Sequence, residues 1–253
     1  MAENQCQCRE MDLNIINAKI VTPAGIKTGA VSVKDGKIAA IVTDDCLLPP
    51  AKETIDVKGK HLLPGLVDPE AHVGCYNYFG VEAESETVAA AATGVTTWGI
   101  QGPSSRMGMK PFKEIVSPED VVSFKDVFDT AVSVMDKNSM VDYFFTYMLE
   151  TDEQGHDVPY YAKEQGVTSY KLYMHCKRTA LDKFWGSNRA GLCTGFDDGT
   201  AYLVMENVAK LGKPSIVSIH AENWEIARIF EQRLIDEGRT DFMAWTDRSP
   251  GFL

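Results

Sequence analysis

No segment of the sequence runs uninterrupted through the roughly 18 apolar residues that suggest a membrane-crossing helix. The opening residues, MAENQCQCREMD, are polar and lack the apolar centre of a secretory signal, so a cytoplasmic protein is expected. Cysteine is scarce. Cys6, Cys8, Cys46, Cys75, Cys176 and Cys193 are too sparse and irregular for a disulfide framework in 253 residues. Cys6-Gln-Cys8 could hold a metal, but no His or second cysteine pair lies near it, and free thiols in a reducing compartment account for all six. Basic residues are also in deficit. Lys and Arg number 25 against 36 Asp and Glu, and the net charge of −11 argues against nucleic acid or an anionic membrane as a partner. What is present is ordinary for a soluble protein, 44% hydrophobic and 24% charged, in a chain long enough for one large domain or two modest ones.

Residues 1–10 read as a disordered tail. Residues 11–60 hold short apolar runs, Leu13–Thr22, Gly29–Val33, Lys37–Val42 and Thr54–Val57, separated by Gly, Pro and the turn pair Asp35-Gly36. This pattern predicts hairpins forming a small β-layer. From residue 61 the texture changes. Strand-like runs at 61–67, Val95–Ile100, Val141–Leu149, Ser169–Met174 and Ser215–His220 alternate with helix-like segments at Glu82–Ala92, from Ser117 toward Met135, at Pro159–Gln165, Gly199–Leu211 and Glu222–Glu237. Alternation with short connections predicts a parallel sheet. Five such strands are fewer than the eight of a closed barrel. The fold class expected from the pattern is α/β, its parallel sheet open or closed.

The organising stretch is Gly65–Gly74, GLVDPEAHVG, in which an apolar run ends in Asp68, Pro69, Glu70 and His72. This is the profile of a short buried strand with metal-capable side chains at its carboxyl end, and on an extended strand Glu70 and His72 point to one side. A solvated Glu and a capping His would give the same letters. Lys171 lies inside the apolar strand Ser-Tyr-Lys-Leu-Tyr-Met. A buried Lys tends to lose its proton, and the neutral amine can act as a base, form a Schiff base or add carbon dioxide to give a carbamate. It could instead reach out to solvent at the strand end. His220 closes the run Ile216–Ile219, either as a polar cap or as a second ligand. Two His, a Glu and a strand Lys at equivalent strand ends converge in a barrel, and their chemistry suits zinc and similar ions. Trp98, Tyr170 and Tyr173 are expected to pack; His61, His156 and His175 have no assigned role.

Gly65-Leu-Val-Asp-Pro-Glu-Ala-His72, Gly94-Val-Thr-Thr97, Ser169-Tyr-Lys-Leu-Tyr-Met174 and Ile219-His-Ala-Glu-Asn223, in that order, resemble the landmarks of the amidohydrolase superfamily. The nearest branch is the cyclic amidases: hydantoinase, dihydropyrimidinase and allantoinase. The β-rich start resembles that branch too, and the likeness extends over the first half to two-thirds of a family member, which implies an incomplete (β/α)₈ barrel over 61–253 preceded by the N-terminal part of a small β-sandwich over 11–60. The resemblance implies a hydrolase of C–N bonds in a cyclic amide or imide, using two divalent metal ions, usually zinc. It implies His72 as ligand of the first ion, Lys171 as a carbamylated bridging ligand and His220 as ligand of the second.

Three departures qualify the match. The family's first landmark is His-x-His, and here Glu70 stands at its first position, where a carboxylate can still ligate. Five residues after Lys171, where many hydantoinases hold substrate with a Tyr, this chain has Cys176, which brings Cys176 in as the substrate-binding position and puts the usual ring in doubt. The family's fourth metal His and its catalytic Asp lie beyond Leu253, so no catalytic base is expected in this chain and ordinary activity is not expected of it alone. An unfinished barrel exposes sheet edges and apolar surface, so homo-oligomerisation, a C-terminal partner chain or a longer chain is expected. Two other readings stay open: one subunit of a split hydrolase, and a catalytically silent structural or assembly homologue that has kept the barrel.

Overall fold

Two sheets carry the chain, each set by a different hydrophobic pattern. A computed structural model describes residues 10–43, 47–74, 77–107, 122–174 and 197–251, and the chain divides into two compact units after Gly65.

In the first unit, residues of alternating polarity form β1 (Met11–Thr22), β2 (Gly25–Lys34), β3 (Lys37–Val42), β4 (Ala51–Asp56) and β5 (His61–Leu62). The order is β3-β2-β1-β4, with β5 also on β1. β1, β2 and β3 are antiparallel neighbours, whereas β4 and β5 run parallel to β1. The Asp35-Gly36 turn between β2 and β3 has φ of 51° and 71°, the doubly positive φ of a type I′ hairpin. Ala18, Ile20 and Val31 form the small core, backed by Val33, Val57 and Leu62. Asp12 ties this sheet together at its surface. It accepts from Lys52 Nζ at 2.7 Å, from the Asp35 backbone N–H at 2.8 Å and from Lys34 Nζ at 3.1 Å. The Lys52 hydrogen bond, then the Asp35 amide and Lys34, hold its carboxyl well below the ordinary value.

The second unit is a five-stranded sheet of order β10-β9-β8-β7-β6, every pair parallel. Its strands are β6 (Leu66–His72), β7 (Val95–Pro103), β8 (Asp142–Met148), β9 (Ser169–Tyr173) and β10 (Ile216–His220). The helices are α1 (Phe79–Ala92), α2 (Ser104–Met107), α3 (Phe124–Asn138), α4 (Asp152–His156), α5 (Val158–Glu164), α6 (Asp198–Leu211), α7 (Trp224–Asp236) and α8 (Phe242–Asp247). One face of the sheet, through Ile100, Phe145, Tyr147, Tyr170 and Leu172, packs on helix residues such as Phe79, Phe124, Met135, Tyr161 and Val204. Phe124 stacks on Tyr147 at 3.8 Å between centroids, and Tyr161 meets Tyr147 edge-on at 5.2 Å. The strands adjoin in sequence order and the sheet curls, which makes this a partial (β/α)₈ barrel, as expected. Among the described residues no helix is long and apolar enough to cross a membrane.

Two expectations are corrected. The run 61–67 is not one strand, because Pro64-Gly65 separates β5 from β6. Nor is β6 buried throughout. Leu66 and Val67 are 53% and 60% exposed, because β6 is an edge strand of this sheet. The helix start expected at Ser117 lies outside the described residues; α3 begins at Phe124, with Ser123 Oγ accepting from the Lys125 amide.

One irregularity decides what β6 presents. Asp68 pairs with Trp98 and Ala71 with Ile100, so three steps on β6 match two on β7. The extra residue is a β-bulge at Pro69-Glu70, where the missing proline N–H costs no ladder bond. Asp68 and Ala71 both face the helices: Trp98 Nε1 donates to Asp68 Oδ2 at 3.2 Å, and Ala71 belongs to the core. Strict alternation would have put Glu70 on that same side as Asp68; the bulge turns Glu70 and His72 to the other face. Gly99 permits this. A Cβ there would stand 2.4 Å from Pro69 O and 2.7 Å from the Phe144 ring.

Gly99→Ala is expected to destabilise the second unit by about 1–3 kcal/mol in chemical denaturation, through overpacking against the bulge. A neutral result would show that the bulge does not depend on that approach. For the first unit, Asp12 has a depressed folded pKa, so its contribution is fully present above the ordinary value of 3.8 and is lost as pH falls from there through the folded value. The stability difference between wild type and Asp12→Asn, read by denaturant melts, is therefore expected to be constant near neutrality and to vanish in strong acid.

Candidate active site at the strand ends

β9 alternates cleanly. Tyr170 and Leu172 enter the core against the helices, so Lys171 and Tyr173 take the opposite face, the one to which the bulge turns Glu70 and His72. Lys171 is 3% exposed, and its Nζ donates to Glu70 Oε1. β6 and β9 are separated by two strands, and in a flat sheet would lie about 15 Å apart; their side chains meet because the sheet curls. Glu70 itself remains 44% exposed, so the pair is closed on the lysine side and open on the carboxylate side.

Tyr173 is the junction of the site. Its ring centroid lies 5.2 Å from Lys171 Nζ and 4.6 Å from the His220 ring, the two rings inclined at 63°. Gln101 Nε2 donates to Tyr173 Oη at 2.9 Å. Gln101 is fully buried at the end of β7, level with His72 on β6 and Thr146 on β8. Its Oε1 has no hydrogen-bond partner among the described residues. His220 pairs in register with Tyr173 at the end of β10. Burial pushes its imidazole below the ordinary value and the nearby Lys171 charge adds to this, while Glu222 and Glu70 act the other way. The neutral, metal-ligating form of His220 is thereby favoured near neutral pH.

Of the four expected ligands, the structure links Glu70, Lys171 and, through Tyr173, His220. His72 is exposed, two residues from Glu70 on the strand end. Cys176 and His175 lie outside the described residues. His61 is on β5 in the first unit and His156 on α4. Trp98 and Tyr170 lie in the core and Tyr173 packs against it, as expected; Tyr173 in addition accepts from Gln101 and adjoins Lys171 and His220. Its signal was its place two residues after Lys171, hence on the same side of the strand. Gln101 was missed; a polar residue closing the apolar run Val95–Ile100 was the available sign.

Two imidazoles and a carboxylate are donors for a zinc-like ion. Among the described residues, however, no three His, Cys, Asp or Glu side chains stand together as ligands, and Glu70 is engaged by Lys171. A carbamate on Lys171 would add a carboxylate-like donor to this set and release Glu70 from its ion pair.

Residues 14–53 match the family model described as "Allantoinase, composite domain". The chain is 29% identical over 233 residues to a D-hydantoinase of Geobacillus stearothermophilus, covering 90% of this chain and 42% of that protein. It is 30% identical over 229 residues to an allantoinase of Desulfitobacterium hafniense, covering 90% and 44%. Among solved structures it resembles L-hydantoinase (dihydropyrimidinase) from Arthrobacter aurescens with a TM-score of 0.74 at 22% identity, over 96% of this chain and 48% of that one. A D-hydantoinase structure gives a TM-score of 0.65 at 26% identity. The chain thus spans less than half the length of these relatives.

Tyr173→Phe removes the acceptor of a buried amide donor and is expected to cost about 1–3 kcal/mol. Combining it with Gln101→Leu should recover most of that loss, because both polar partners are then gone. Purely additive losses in a double-mutant cycle of melts would show that the two side chains do not depend on one another.

Proposed function

We propose, from the kinship of this chain with the amidohydrolase superfamily on its hydantoinase and allantoinase branch, that it supplies the first part of the active site of a cyclic amidohydrolase. The reaction is hydrolysis of a C–N bond in a small cyclic amide or imide. The observation that carries the reading is Lys171, shut from solvent on a barrel strand, facing Glu70 and joined to His220 through Tyr173. In the loaded protein Lys171 is carbamylated, and with His72, His220 and Glu70 it holds two divalent ions, zinc by the character of the donors. Such ions polarise the amide carbonyl and make water a nucleophile near neutral pH.

The chain's own side chains have separable tasks. His220 offers a neutral imidazole, favoured by its burial. Gln101 fixes the Tyr173 hydroxyl, which holds the ring between Lys171 and His220. Cys176, five residues after Lys171, stands at the position where many hydantoinases hold substrate with a Tyr. With His220 assigned to the metal, none of these side chains is assigned the proton of the ring-opening step. The edge strands β6 and β10, with exposed Leu66, Val67 and Ile216, support completion by further strands from a longer chain or a partner. The acidic charge and sparse cysteines support a cytoplasmic setting. One observation favours a second reading, a silent homologue: the Glu70–Lys171 pair is charge-balanced without any metal.

The test is ring opening of a panel of hydantoins, dihydropyrimidines, allantoin and cyclic imides by the zinc-supplied protein in its completed form. Lys171→Ala and His220→Ala are each expected to lower kcat/KM on the order of 100-fold or more. Turnover that survives both substitutions would sink the hydrolase reading of this site.

A further inference from the structure

A cavity of about 620 Å³ opens between α3, the amino-terminal end of β8 and the turn that leads into β9, a volume that suits a small ligand. Buried Met135, Phe145 and Val167 close its inner end, and half-buried Phe128, Val132 and Tyr143 form its sides. The aromatic wall is continuous. The Phe145 ring lies 5.5 Å from that of Tyr143 and 6.1 Å from that of Phe128, inclined at 62° and 70°. Asp136 and Asp142, both exposed, stand at the mouth. Asp142 opens β8, whereas Met148 at the other end of that strand pairs with Lys171. The strand's 7 residues put about 20 Å between its two ends, so the cavity lies away from the strand-end cluster. We infer that the cavity is a binding site for a small organic cation, an ammonium carried on an aromatic or short alkyl body.

The polar groups of the wall select the charge. Tyr143 Oη donates to Asp136 Oδ1 at 2.6 Å, and Ser139 Oγ donates to Val141 O at 2.7 Å. Gln165 accepts from Tyr147 Oη at 3.0 Å and donates from Nε2 to Phe124 O at 3.3 Å. These side chains are occupied by the fold itself. What remains at the mouth are carboxylate oxygens, which only accept, and no described lining residue is basic. An anion would meet like charge there. An ammonium meets acceptors and, just inside them, aromatic rings that attract cations. The apolar body behind the charge then reaches toward Met135, Phe145 and Val167, where leaving water is favourable. The aspartates thus set the sign of the ligand, and the inner end sets its apolar character.

The test titrates the purified protein, labelled with ¹³C-methyl methionine, with 2-phenylethylammonium and follows the methyl signals by NMR. Met135→Leu and Met148→Leu identify the two informative signals. In wild type the Met135 signal is expected to shift saturably, while Met148, paired with Lys171, stays in place. The neutral isostere 2-phenylethanol is expected to need about tenfold more for half-saturation, and 3-phenylpropionate to give no shift. This comparison needs no variant. Asp142→Asn, at an exposed position, is expected to weaken ammonium binding about threefold or more and to leave binding of the alcohol unchanged. Ammonium and alcohol titrating alike, or Asp142→Asn binding both as wild type does, overturns the cation site. So does a Met135 shift that is absent or never saturates, or a Met148 shift at the same or lower concentration.

Discussion

The close approach of Pro69 to Gly99 is the constraint on which the site depends. A strand reads its side chains alternately to two faces, and Asp68 is committed to the helix face by its hydrogen bond with Trp98. Only an extra residue between Asp68 and Ala71 can bring Glu70 and His72 to the opposite face. That extra residue needs room for its backbone, and the room exists because position 99 has no Cβ. A glycine on β7 thus decides which way a carboxylate on β6 points.

From that placement the rest follows by contact. Glu70 meets Lys171 across two intervening strands, so the pair both reports and stabilises the curl of the sheet. Tyr173 then relates Lys171 to His220, and Gln101 reaches across from β7 to fix Tyr173. Four strands contribute to one cluster, although each contributes only one or two side chains. The outer face is of opposite character, a continuous aromatic and aliphatic core in which Phe124, Tyr147 and Tyr161 interlock. The rigid outer face lets the inner one carry polar groups that no core would accept.

Much of this was legible in the letters. The five barrel strands and the alternation with helices are recoverable from periodicity, because each strand is a short apolar run bounded by Gly, Pro or a helix cap. Lys171 was conspicuous as the charged residue inside the run Ser-Tyr-Lys-Leu-Tyr-Met, although a lysine reaching out to solvent at the strand end would have given the same letters. What was not legible depended on contacts between strands. Pro69 within β6 hinted at a bulge, but the residue that makes room for it, Gly99, stands on β7. Tyr173 packs as its residue type suggested, but its contacts with Gln101 and His220 come from other strands and could not be read from β9 alone. The exposure of Leu66 and Val67 reflects where β6 lies in the sheet, a property of the whole rather than of the run.

The sequential strand order also sets a timetable during synthesis. Each new strand finds its neighbour already in place, and the nascent chain can grow the sheet from β6 outward as it emerges. The cross-sheet contacts cannot keep that pace. Glu70 lies 101 residues before Lys171, which at roughly 5–20 residues per second is a wait of about 5–20 seconds. Through that interval Glu70 stands without its lysine on an unfinished ribosomal product, and the contact between the two waits on the arrival of β9.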